Sequence, residues 1–405
     1  MILKDIPESI LRPQYLNRIS PFIDKQLIKV LSGQRRVGKS YLLYQIMELI
    51  RAKQKKAPII YINKEDLSYS SIKNFEDLNS YVQNLIQKGK KNYLFIDEIQ
   101  DIKDFDKALR SLVLNADLDI YCTGSNADLL SADIAGNLSG RAIEIEVYSL
   151  NYPEFLTFHK FKNEDSSLEK YLQFGGLPYL KHLPLKQEIV FEYLKNIYST
   201  VVFRDVINRF GVRNTVFLEQ LILFLASNIG SMFSSKKISD FLKSQKVNIP
   251  PNQVQTYIGH LKSAFLIHQV QRYDIEGKRI FEIGQKYYFE NLGIRNAIWG
   301  YRLQDAAKIM ENVVYNHLTS RGYKVKEGVI GVDQEIDFIA EKSGEKIYLQ
   351  VALSLTEQKT IDREFGNLMK INDNYPKYII CKQNFYTNSN EGIRVIDLRS
   401  FLSDF

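Results

Sequence analysis

Eight residues, Gly33-Gln34-Arg35-Arg36-Val37-Gly38-Lys39-Ser40, stand between the apolar run 27–32 and a stretch from Lys39 that carries apolar side chains at helical spacing. Glycines at the first and sixth positions let the backbone turn so that successive N–H groups and a helix N-terminus face one anion. A lysine at the seventh position reaches the β and γ phosphates of a nucleotide, and a hydroxyl at the eighth ligates Mg²⁺. All eight residues would therefore line a triphosphate, with Ser40 also on the metal. A basic, glycine-rich turn of no function is the competing reading; strand, loop and helix falling in order argue against it.

Downstream, "YLFIDEIQDI" runs four apolar residues into Asp97-Glu98. Asp97 would hold Mg²⁺ through water, and Glu98 would polarise an attacking water as general base. Two solvated acids at a strand end are the bland alternative. Asn63-Lys64-Glu65-Asp66 spells a guanine-reading N-K-x-D, but it precedes the acidic strand, the wrong chain order, and reads as a loop. The strand "LDIYCTGSN" ends in Ser125 and Asn126, which would hydrogen-bond the γ-phosphate or the water, or else only cap the next helix. In "LSGRAIEIEV", Arg141 precedes another strand, where a cation would reach a neighbouring subunit's γ-phosphate in a homo-oligomer; an ordinary surface arginine is the alternative.

In order along the chain, "SGQRRVGKS", "LFIDEIQDI", "TGSNADLLS", "LSGR", "YPEFL" and "FGGLP" resemble the bacterial and archaeal AAA-type ATPases that carry a conserved C-terminal domain of unknown function. The similarity continues through "KYYFENLGIRNA" and "EIDFIAEKSGEKIYLQVALSL". It implies an α/β fold with a P-loop AAA+ core, the phosphate-loop strand at its centre, and ATP with Mg²⁺ as ligands. It names no biological task.

The elements that must position these groups divide into four expected parts. Residues 1–150 read as the ATPase core. Residues 151–230 read as a helical lid broken at Gly175-Gly176, with Arg204, Arg209 and Arg213 as candidate nucleotide sensors on one helical face. Residues 231–305 give two amphipathic helices, the second opening at Pro250-Pro251, then two strands joined at Glu276-Gly277-Lys278. That order suggests a winged helix, its second helix in a major groove of duplex DNA and Arg272, Lys278 and Arg279 on phosphates. Many winged helices dock proteins instead, so an unidentified protein partner stays open. The segment holds 11 Lys/Arg against 6 Asp/Glu, whereas 306–405 holds 13 against 14, so a polyanion would meet the middle of the chain.

Residues 306–405 order their elements like a restriction-endonuclease-like α/β domain, with Glu311, Asp337 and Gln350 at the three acidic positions. Gln350 lacks the charge that offsets dehydrating Mg²⁺, and Ala352 stands where the assisting lysine is needed. Lys346 and Lys359 flank the strand as substitutes. The expectation is a degenerate shell without cleavage, its Glu311, Glu335 and Asp337 forming a solvated or partner-facing edge.

With 405 residues, 45% of them hydrophobic, the chain can bury several cores. No secretory leader or bilayer-spanning run is evident, and Cys122 and Cys381 fall in separate strand-like runs, as buried thiols do in a reducing cytoplasm. Together these point to a cytoplasmic Mg²⁺-dependent ATPase coupled to DNA, with a nucleotide-gated protein-interaction switch, and less so an ATP-dependent nuclease, as alternatives.

Overall fold

The computed structural model describes residues 9–130, 136–138, 140–244, 246–275, 277, 284–331, 334–383 and 392–405; of Asp128, Leu130 and Gln383 it describes the backbone alone. The contacts divide the chain into two units. One comprises residues up to Tyr148 with Ser263–Phe265, the other Ser149–Lys262 with Leu266–Phe405.

The first unit is a five-stranded parallel sheet. Its strands are β1 (Ile28–Ser32), β2 (Ile59–Asn63), β3 (Asn92–Asp97), β4 (Leu118–Gly124) and β5 (Ala142–Glu146), in the order β2-β3-β4-β1-β5. Parallel strands covered on both faces read as continuous apolar runs, and every residue of β1, β3 and β4 is buried. Side chains from these strands pack with Leu78, Val82, Leu109 and Leu112 of neighbouring helices. β4 lies between the phosphate-loop strand and the acidic strand. Lys29 of β1 and Asp119 of β4 are among the polar residues that interrupt these runs. Lys29 and Asp119 are both fully buried and form an ion pair, and Asp119 also accepts hydrogen bonds from Tyr121 Oη (2.7 Å) and the Asp24 amide (2.9 Å). Burial pushes the Lys29 amine below its ordinary range even against the pull of Asp119.

The second unit begins with helices Tyr152–His159, Asp165–Phe174 and Gln187–Thr200. A π-helical segment, Val201–Asn208, follows, so Arg204 and Arg209 do not share the regular α-helical face that their spacing suggested. Helices Ser235–Ser244 and Pro251–Ser263 precede a seven-stranded mixed sheet. Its strands are β6 (Ile267–Asp274), β7 (Gln285–Phe289), β8 (Lys324–Ile330), β9 (Gln334–Lys342), β10 (Glu345–Ser354), β11 (Lys377–Gln383) and β12 (Ile393–Asp397). The order is β12-β11-β10-β9-β8-β6-β7.

The hairpin expected as a wing is thus part of a larger sheet. β6 pairs antiparallel with β7 and parallel with β8, with Arg272 opposite Glu327. The boundaries expected at 230 and 305 both lie inside this unit. Lys278 and Arg279, the expected phosphate contacts of the wing, lie outside the described residues. Close backbone packing accounts for the glycines of "FGGLP" and "ENLG". A Cβ on Gly176 would sit 2.1 Å from the Leu150 carbonyl oxygen, and one on Gly293 would sit 1.9 Å from that of Phe174. Among the described residues no helix is long and apolar enough to cross a membrane, and both cysteines are free and buried.

The Lys29–Asp119 pair gives a direct test of the first unit's core. Asp119→Ala strands a buried ammonium and should cost about 3–5 kcal/mol in urea unfolding, whereas the double change Lys29→Met/Asp119→Leu should recover only part of that loss, since Tyr121 Oη and the Asp24 amide lose their acceptor in both.

Candidate functional site: a phosphate cradle and a second, closed charge cluster

The loop after β1 adopts backbone angles that only certain residues tolerate. Gly33 has φ 140° and Gly38 φ 98°, and a Cβ on Gly33 would lie 2.2 Å from the Val147 carbonyl oxygen. Arg36, exposed between them, is also left-handed at φ 68°. The helix Lys39–Lys53 starts directly behind the loop with Gly38 as its N-cap. Lys39 is buried, its Nζ folded onto the loop's own carbonyls at Gly33 (2.7 Å) and Gln34 (2.8 Å). Arg12 braces the loop from beneath, donating to the Val37 carbonyl (2.9 Å) and the Tyr148 carbonyl (3.0 Å). Gln34 faces elsewhere, its Nε2 donating to the Phe265 carbonyl at 2.8 Å.

Asp97 ends β3 and is buried. Its carboxylate accepts hydrogen bonds from Thr123 Oγ1, from Tyr61 Oη at 3.3 Å and from the Ser40 hydroxyl. Burial pushes its pKa up, against the lowering effect of the Thr123 and Ser40 hydroxyls. The two residues expected to share Mg²⁺ are therefore already in contact. One hydroxyl and one carboxylate beside a phosphate loop is a donor set that fits that ion.

Successive residues of a strand point to opposite faces, so Asp97 and Glu98 could not serve one site if the strand ran on. Glu98 instead turns left-handed, φ 58° and ψ 55°, a costly conformation for a residue with a Cβ. Its amide donates to Thr123 Oγ1 at 3.0 Å. Its carboxylate meets Arg35 (3.8 Å) and accepts from Ser125 Oγ (3.3 Å) and Gln100 Nε2. Burial alone would raise its pKa, but Lys39 and Arg35, with the hydrogen bonds from Gln100 and Ser125, together outweigh burial and hold it below the usual carboxylate range. Glu98 is thus ionised at neutral pH and able to accept a proton.

Of the candidates, Lys39, Ser40, Asp97, Glu98, Arg35 and Ser125 gather here, and Asn126 is buried beside Ser125. Arg141 does not join them. Its side chain is exposed just before β5, while its carbonyl accepts from the Ile28 amide at 2.8 Å. The sequence reading missed Arg12, Tyr61, Gln100 and Thr123. Only the last two fall inside quoted motifs, "DEIQD" and "CTGSN".

A parallel sheet in this order, with a phosphate loop on β1 and paired acids at the end of β3, defines a P-loop nucleotide-binding fold of the AAA class. Residues 25–156 match the family described as "AAA domain", and residues 165–305 match one described as a "domain of unknown function". An uncharacterized protein of Haemophilus influenzae is 35% identical over 395 residues, covering 96% of this chain and 97% of its own. Uncharacterized protein MJ1544 of Methanocaldococcus jannaschii is 31% identical over 350 residues, covering 82% and 75%. The chain belongs to the same family as these bacterial and archaeal proteins, and in it an AAA domain precedes a domain of unknown function. Among solved structures, the Aeropyrum pernix ORC1 protein in complex with DNA is similar over 73% of this chain and 94% of that one, with 11% identity and a TM-score of 0.36. A likeness that distant says nothing of what this chain binds.

The second unit holds a different charge cluster. Lys286 of β7 places Nζ 3.0 Å from Glu327, 3.6 Å from Glu335 and 3.9 Å from Asp337. Arg272 lies 3.8 Å from both Glu327 and Glu335, turned inward instead of toward a DNA phosphate. Glu311, on the helix Ala306–Ser320, accepts from Tyr288 Oη at 3.2 Å. The expected solvated acidic edge is therefore largely an interior one; Glu335 alone of the three is substantially exposed, at 42%. The cation comes from Lys286, while Lys346 stacks over Tyr375. Gln350 serves the backbone, accepting from the Asp337 amide (2.7 Å) and donating to the Glu335 carbonyl (3.2 Å). Asp337 in turn accepts from the Val351 amide at 2.8 Å. Among the described residues no group of three or more His, Cys, Asp or Glu is arranged to hold a metal. An ammonium stands among these carboxylates.

Burial, with Asp337 nearby, pushes Glu311 up to about 8; burial pushes Glu327 up to about 7 against the pull of Lys286. Carboxyls with raised pKa values stabilise the fold fully below their unfolded value and lose that contribution as pH rises through the folded one. Stability in urea should accordingly fall between about pH 5 and pH 8, and Glu311→Gln should flatten the decline.

Proposed function

We propose that the first unit binds ATP with Mg²⁺ and hydrolyses it in the cytoplasm, and that turnover is coupled to duplex DNA through the helices and hairpin of residues 235–289. The observation that carries the hydrolytic reading is the left-handed turn at Glu98, which sets an ionised carboxylate beside the phosphate loop. Lys39 and the loop amides would hold the β and γ phosphates, Lys39 leaving the carbonyls of Gly33 and Gln34 to do so. Mg²⁺ held by Ser40 and Asp97 would offset negative charge on the phosphate oxygens. Glu98 takes a proton from water as the water oxygen bonds to the γ-phosphorus. The bond from that phosphorus to the β–γ bridging oxygen breaks, its electron pair leaves with ADP, inorganic phosphate forms, and the proton passes to solvent. Ser125 and Asn126 would orient the γ-phosphate or the water. Arg141, exposed, is left for a neighbouring subunit of a homo-oligomer.

One observation favours a second reading, a nucleotide-gated switch that holds a protein. Arg272, a cation expected to meet DNA, is engaged with Glu327 and Glu335 instead.

Steady-state phosphate release with and without duplex DNA separates the two. Glu98→Gln should lower kcat about 10²–10³-fold while nucleotide binding persists. Stimulation of the wild type by DNA supports the coupled ATPase; slow turnover indifferent to DNA supports the switch. Full turnover by Glu98→Gln would contradict the hydrolytic mechanism.

A further inference from the structure

Gln100 lies in the 3₁₀ turn Ile99–Asp101, two residues past the base, and the reaction as described makes no use of it. Its Nε2 donates to Glu98 Oε2 and, at 3.4 Å, to Ser125 Oγ. Its Oε1 is buried and has no hydrogen-bond partner among the described residues. The tip of β4 is shaped around that amide. A Cβ on Gly124 would fall 2.6 Å from Gln100 Oε1 and 2.1 Å from Leu129 Cδ1, so only glycine leaves the amide its place. A primary amide does not titrate near neutral pH, so it orients the carboxylate without competing for its proton. A buried acceptor left unmet is unfavourable, and the group best able to meet it beside Glu98 is one with two donors.

From this arrangement we propose that Gln100 positions both the base and its water, Nε2 fixing Glu98 while Oε1 accepts the water's second hydrogen. The proposal rests on Glu98 being the base. One water proton goes to Glu98, the oxygen bonds to the γ-phosphorus as the bridging bond breaks, and the hydrogen held by Gln100 stays on the inorganic phosphate. Gly124 is then part of the same device, since any side chain there displaces the amide.

The test uses the full chain carrying Gln100→Met, Gly124→Ala, both together, or Gln100→Glu, with Glu98→Gln as reference. Phosphate release and affinity for a fluorescent ATP analogue are measured with Mg²⁺, after circular dichroism confirms folding. Each of the first two changes should lower kcat about 10–100-fold with little change in affinity. The double variant should be no slower than the slower single one, because both disturb one amide. Gln100→Glu keeps the side chain's length but replaces the donor to Glu98 with an acceptor, and should lower kcat as Gln100→Met does with affinity for the analogue little changed, a split that a general loss of structure would not give. Normal kcat in the Gln100 variants, while Glu98→Gln is inactive, would overturn this proposal alone. Full turnover by Glu98→Gln would overturn the base assignment and the proposal with it.

Discussion

Lys39, Arg35, Asp97 and Glu98, each less than a tenth exposed, meet behind the carboxyl ends of β1 and β3, and most of what surrounds them answers that burial. Charges removed from water are tolerated only when paired and hydrogen-bonded. The hydroxyls of Thr123, Tyr61, Ser40 and Ser125 and the amide of Gln100 supply the hydrogen bonds, and Lys39 and Arg35 supply the counter-charge. The backbone yields where side chains alone could not converge. Gly33 passes against Val147 with no room for a Cβ, and Glu98 turns left-handed so that two consecutive acids face one corner. In an open parallel sheet this edge is where ligands bind, since loops of both windings diverge from it.

The second unit buries charge to a different end. Around Lys286 the carboxylates of Glu327, Glu335 and Asp337 have an ammonium within 4 Å, and the backbone of β10 takes up the rest of Asp337. Together their charge outweighs burial and keeps Lys286 protonated, its pKa raised. Because Lys286 sits on β7 and its partners on β8 and β9, the cluster ties the hairpin into the sheet. In the first unit, by contrast, the lysine rests on its own loop's carbonyls, contacts that phosphate oxygens can replace.

What could be read from the sequence was what the chain encodes locally. The phosphate loop and the acidic strand end follow from short-range spacing and apolar runs, and the structure has them within a few residues. Thr123, Tyr61 and Arg12 were not legible because their roles depend on which strands and segments lie side by side, not on any spacing. The same limit hid the pairing of β6 with β8, which joins segments about fifty residues apart and turns Arg272 inward, where a wing reading had it exposed. Gln350 was read only as a poor metal ligand; its service to the β9 backbone needed the register of β9 on β10.

The claim on which the rest stands is that the loop after β1 is a triphosphate cradle closed by Lys39. Calorimetric titration of the full chain with ATP in the presence of Mg²⁺ tests it most directly. Saturable binding at one site per chain, weakened about 10–100-fold by Lys39→Ala, is the predicted result. No binding, or binding that Lys39→Ala leaves unchanged, would contradict it.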